Sequence, residues 1–118
     1  MENVFEITML LDFYGQLLTQ RQLEIMDLHY NDDLSLAEIA EQLEISRQGV
    51  FDNIKRGKST LVEFEDKLGL VKKFLEQKDK AESLLKELEQ IEQSELSENN
   101  KKYLKSIECG LKEIVHDI

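Results

Sequence analysis

The sequence predicts an all-α protein, and three observations carry that prediction. The 118 residues include no proline and only five glycines, so few positions interrupt a helix. The chain is rich in Leu, Glu, Lys and Gln, all good helix formers. Its apolar residues recur at intervals of three and four. The length suits one small domain with an extension and is too short for two independent domains of ordinary size.

Phe5, Ile7, Leu10, Leu11, Tyr14, Leu17 and Leu18 form the wide apolar face expected of a buried first helix. Thr19 followed by Gln22 is a capping box, so a second helix starts near Gln20 with Leu23, Ile25, Met26 and Leu28 as its apolar side. The "NDD" cluster at 31–33 closes it. Ser35 and Glu38 repeat the box and open a short helix that turns Leu36, Ile39, Ala40 and Leu43 inward. Ser46 caps the next helix, whose inward residues are Val50 and Ile54. That helix is expected to lose definition around Gly57 and resume at Leu61, Phe64 and Leu68, with Gly69 as C-cap.

From Leu70 the pattern becomes heptad-like: Phe74, Ala81 and Leu88 recur every seven residues, as do Gln77, Leu84 and Ile91. Ser97 caps a last helix with Leu104, Ile107, Leu111, Ile114 and Ile118 on one stripe. Two such helices with a short polar loop form an antiparallel hairpin, and the heptad stripe serves either as its inner face or as a dimer seam. The expected organisation is a four-helix unit over residues 1–69 and a helical extension over 70–118.

Residues 35–61 thus read as helix, tight turn, helix. Such a motif needs a small residue where the two helices touch and an apolar lock that fixes their crossing. Ala40 is the small residue, and Ile39, Leu43, Ile45, Val50 and Ile54 are the lock. The outward positions of the second helix are then Ser46, Arg47, Gln48, Phe51, Asp52 and Lys55. Arg47 and Gln48 stand in its first turn, where Arg pairs with guanine and Gln with adenine. Lys55, Arg56 and Lys58 suit phosphates. Phe51 is expected to pack against the appended helices, with an exposed partner contact as the alternative. Three features run against DNA binding: Glu44 at a turn position that often holds glycine, Gly49 inside the helix, and Asp52 on the outer face.

Charge is distributed unevenly. Residues 1–45 hold ten acidic residues and one basic residue, net −9; residues 46–73 hold seven basic and four acidic, net +3; residues 74–118 hold seven basic and eleven acidic, net −4. A chain of net −10 is repelled by polyanions at long range, so a nucleic-acid contact has to be local and salt-sensitive.

No apolar run is long enough to cross a membrane, and the acidic N-terminus lacks the basic leader of a signal peptide, so a cytoplasmic protein is expected. Cys109 is the single cysteine, and His29 and His116 are the only histidines, which leaves no basis for a metal or cofactor site. Without converging titratable groups the chain does not read as an enzyme.

The segment "LTQRQLEIMDLHYNDDLSLAEIAEQLEISRQGVFDNIKRGKSTL" resembles region 4 of the bacterial sigma factors. The chain from "FYGQLLTQRQ" through "ISRQGVFDNIKRG" to "FEDKLGL" resembles the YlxM family of small bacterial proteins over nearly its full length. The resemblance implies a sigma region 4-like fold and a regulatory role, or assistance to the signal recognition particle pathway. The expected partners are DNA, read by the helix after Ser46, or, for an adaptor, the signal recognition particle GTPase or its RNA. A homodimer through the C-terminal helices is compatible with both.

Overall fold

The computed structural model describes residues 3–116, and every regular element among them is a helix. α1 (Val4–Tyr14) is capped by Asn3, whose side chain accepts from the Phe5 amide at 2.8 Å. A single 3-10 turn, Gly15–Leu17, leads to α2 (Gln20–Tyr30). Thr19 and Gln22 make the expected reciprocal capping bonds, both at 3.2 Å. Ser35 and Glu38 do the same for α3 (Leu36–Leu43), at 3.1 and 2.9 Å. The Ser35 amide donating to Glu38 holds that carboxyl below its ordinary 4.5.

The expected break at Gly57 does not occur. α4 (Arg47–Leu68) runs for 22 residues, about 33 Å at the usual rise, with Val50, Ile54, Gly57 and Leu61 buried at spacings of four, three and four. Gly57 is there for packing: a β-carbon at this position would lie 3.1 Å from Met26 Sδ and 3.2 Å from Met26 Cγ, so its absence lets α4 lie close on α2. α1, α2 and α3 all rest on α4. Ile25, Met26, Ile39, Val50 and Leu61 are completely buried where these helices meet.

Two residues assigned to the first apolar face lie outside it. Phe5 is 59% exposed because it sits two residues from Ile7, roughly 200° around the helix. Leu17 is 56% exposed because α1 stops at Tyr14 and the following 3-10 turn shifts the phase.

Tyr14 ties the two ends of this unit together. Its hydroxyl donates to Glu65 Oε1 at 2.6 Å and accepts from the Leu70 amide at 3.1 Å, while Glu65 Oε1 accepts from the Val71 amide at 3.0 Å. Leu70 and Val71 open α5 (Leu70–Glu89), so these side chains satisfy amides that a helix start leaves unpaired. Gly69, in the left-handed conformation with φ 62°, makes the corner and confirms the C-cap. Burial, and then the bond to Glu65, raise the Tyr14 pKa above its ordinary 10.

The chain divides into two compact units between Val71 and Lys72. In the second, Ser97 caps α6 (Glu98–His116) by accepting from the Asn100 amide at 3.1 Å. Leu84 and Leu88 share a groove with Ile107 and Leu111, and Ile91 shares one with Tyr103 and Leu104, so α5 and α6 are antiparallel. The stripe on α5 that is at least half-buried runs Phe74, Lys78, Ala81, Leu85, Leu88. Only one of the two expected heptad series therefore turns inward. Gln77, Leu84 and Ile91 are exposed, Leu84 by 41% and Ile91 by 45%. On α6, Leu104 and Leu111 are half-buried, but Ile107 and Ile114 are 52% and 46% exposed. Ile118 lies outside the described residues.

Candidate nucleic-acid interface

The turn between α3 and α4 sets the direction of the candidate recognition helix. The Ile45 N–H donates to the Ala40 carbonyl at 3.1 Å and the Glu44 N–H to the Glu41 carbonyl at 3.4 Å, the pair of bonds that defines a Schellman motif. That motif requires a left-handed residue at its corner, and Glu44 takes it with φ 58° and ψ 43°. A side chain there costs about 1 kcal/mol. The lock holds the strained corner in place, because Ile39 and Val50 are fully buried and Ala40 and Ile54 are 7% and 6% exposed.

Ser46 follows the corner and caps α4 by accepting from the Gly49 amide at 2.9 Å. This role occupies the Ser46 oxygen as an acceptor and leaves its proton available to a phosphate. Arg47, exposed in the first turn, begins a ridge that continues through Phe51, Lys55 and Lys58 at spacings of four, four and three. Phe51, Lys55 and Lys58 line one shallow pocket together with the edge of Ile54. Phe51 is 48% exposed, so an apolar ring stands among the basic groups. Lys58 is half-buried, with its Nζ 5.7 Å from the centre of the Tyr30 ring, where a cation–π contact fixes its direction.

The other predicted residues stand apart from this ridge. Arg56 is two positions before Lys58, which places it roughly 160° away around the helix, on the opposite flank. Gln48 is exposed, but its Nε2 donates to Asp52 Oδ1 at 3.0 Å. Asp52 thus ties down the one amide that could read adenine and puts a negative charge beside the ridge. Sequence alone could have shown this pair, since the two residues stand at the i, i+4 spacing of helical neighbours. The Tyr30 contact to Lys58 crosses from α2 to α4 and had no sequence signal.

Below the motif, His29 closes the turn between α2 and α3, with its Nδ1 2.8 Å from the Leu34 carbonyl oxygen. Among the described residues, no three His, Cys, Asp or Glu side chains converge in a way that could hold a metal ion. No helix among the described residues is long and apolar enough to cross a membrane.

Comparison with known proteins gives this arrangement a context. Residues 1–106 match the family described as "UPF0122: Putative helix-turn-helix protein, YlxM / p13 like". A UPF0122 protein of Acetivibrio thermocellus is 56% identical over 115 residues, covering 98% of both chains. A UPF0122 protein of Clostridium perfringens is 48% identical over 116 residues, covering 98% of this chain and 99% of the relative. One from Bacillus thuringiensis is 44% identical over 110 residues, covering 92% and 96%.

Proposed function

The chain belongs to the YlxM / p13-like family of helix-turn-helix proteins, and on that premise we propose that it is a cytoplasmic regulatory protein that binds DNA through α4. The observation that carries this reading is the exposed ridge Arg47, Phe51, Lys55 and Lys58 on the second helix of an intact motif. Arg47, nearest the helix start, reads guanine in the major groove, and Phe51 meets a thymine methyl. Lys55 and Lys58 anchor one phosphate strand, while Arg56 on the other flank reaches phosphates across the groove. Gln48 reads adenine only after leaving Asp52. Acting as a homodimer through its C-terminal helices, the protein presents two such surfaces and so offsets the small number of cations on each.

Titration into labelled duplex DNA and a structured RNA at about 50 and 200 mM salt tests the reading. With about four phosphate contacts, affinity falls on the order of 100-fold between those conditions. Replacing Lys55 and Lys58 by alanine lowers affinity for all sequences and flattens the salt slope by about two. Arg47→Ala costs affinity with a sequence-dependent part. No binding at the lower salt rejects the reading.

A second reading is favoured by the tethering of Gln48 to Asp52, which takes a base-reading amide out of the α4 surface. In it the protein is an adaptor of the signal recognition particle pathway, contacting the particle's GTPase or RNA through residues 70–118. The two readings separate by where substitutions abolish binding: on residues 46–58 for DNA, on 70–118 for an adaptor.

A further inference from the structure

We propose that the homodimer forms through α6, packed antiparallel against α6 of a second copy along Tyr103, Ile107, Gly110 and Ile114. This deepens the dimeric part of the reading above and rests only on that part. It also moves the seam away from the α5 heptads that the sequence suggests.

These four residues recur at spacings of four, three and four, so they form one line on the helix. The three side chains are 67%, 52% and 46% exposed, and a β-carbon on Gly110 would meet nothing within 4 Å. Asn99, Asn100 and Ser106 share that face, so it carries no charge over four turns in a chain where 34% of residues are charged. A face of this composition is covered by another helix in the assembled protein.

A second copy fits because the line is complementary to itself. A two-fold axis between Glu108 and Cys109 sets Ile107 against Gly110 of the partner subunit, a large residue over the open glycine. It also sets Tyr103 against Ile114 of the partner subunit. Lys102 and Glu113 lie on the same edge of the line, both exposed, and the same axis sets Lys102 near Glu113 of the partner subunit and the reverse. Neither has an ion-pair partner in its own chain among the described residues. Parallel pairing would instead set glycine against glycine and carry the Lys102 and Glu113 edges of the two copies to opposite sides of the seam, so charge and shape both select the antiparallel arrangement. It also opposes the two helix dipoles. Leu84 and Ile91, exposed beside α6, widen the seam toward a four-helix bundle.

The strip from Asn99 to Ile114 is about 23 Å long and one helix wide. That is smaller than the roughly 800 Å² per partner of a standard interface, so the dimer is expected to dissociate in the micromolar range. Sedimentation equilibrium of the full chain, without nucleic acid, from about 1 to 300 μM tests this. The wild type passes from monomer to dimer across that range. Gly110→Leu fills the hollow and weakens pairing at least tenfold, while its helical circular dichroism stays the same or rises, because leucine is the better helix former. Lys102→Glu weakens pairing severalfold, and adding Glu113→Lys restores it. A monomer at every concentration overturns the dimer altogether. A dimer untouched by Gly110→Leu overturns this face alone. Failure of the double charge change to restore pairing overturns the antiparallel register.

Discussion

Val50 and Ile107 are both β-branched residues on the apolar line of an amphipathic helix, yet Val50 is fully buried and Ile107 is 52% exposed. The helices themselves do not explain this, since each has a clear apolar side. Their surroundings do. α4 lies beneath α1, α2 and α3, whereas Ile107 only borders the groove that α5 and α6 share. A periodic stripe specifies which side of a helix seeks cover but not whether the chain supplies it. The N-terminal unit buries the apolar line of α4, whereas the C-terminal unit leaves part of the α6 line exposed.

The contrast can be broken most directly by truncation. Ile39→Ala, at the centre of the closed core, is expected to cost about 3 kcal/mol in urea denaturation. Ile107→Ala, measured in protein dilute enough to be monomeric, costs less than about 1 kcal/mol, since little of the residue is covered. Equal losses would mean that the two units are equally closed.

Tyr14→Phe is next in size. It strands the Leu70 amide and removes the bond to Glu65, a loss of about 1 to 2 kcal/mol. It also alters alkaline unfolding. Because the folded-state pKa of Tyr14 is raised, its contribution is full below the ordinary value of 10 and is lost as pH rises through the higher folded value. Denaturation curves at increasing pH above 10 should therefore decline less steeply for the phenylalanine variant.

Glu44→Gly relieves the left-handed corner and is expected to stabilise by about 0.5 to 1 kcal/mol, raising Tm by a few degrees. Any destabilisation would place the strain elsewhere. The smallest effect is expected from Gly57→Ala, within about 0.5 kcal/mol of zero. Its gain in helix propensity of about 1 kcal/mol is offset by crowding against Met26. A full gain would show that α4 and α2 have room to separate.

What the sequence made legible was local. Thr19, Ser35, Ser46 and Ser97 each place their oxygen where a capping residue should, and Gly69 ends α4 as its conformation allows. What it hid depends on contacts between distant positions. Gly57 resembles a helix break until Met26, 31 residues earlier, is seen against it. The bond from Tyr14 to Glu65 spans 51 residues. On α5, the phase of the heptads was ambiguous because Leu84 and Leu85 are both apolar, and the structure turns Leu85 inward. At the candidate interface, adjacency in sequence suggested that Lys55, Arg56 and Lys58 act together, but helical geometry puts Arg56 on the other flank. The exposure of Phe51 could not be read from sequence, because an aromatic ring in a helical pattern is as compatible with a core position as with a surface one.

If the outer face of α4 binds nucleic acid, the Asp52 carboxylate beside the ridge restrains it. Fluorescence anisotropy of labelled duplex DNA at about 50 mM salt tests this with three proteins: the wild type, Asp52→Asn, and the double variant Arg47→Ala with Lys55→Ala. Asp52→Asn should bind several-fold tighter, since it removes a charge beside the ridge and loosens Gln48, and the double variant should bind at least tenfold more weakly. Identical affinities for all three, or no binding by any of them, would contradict the proposed binding through α4.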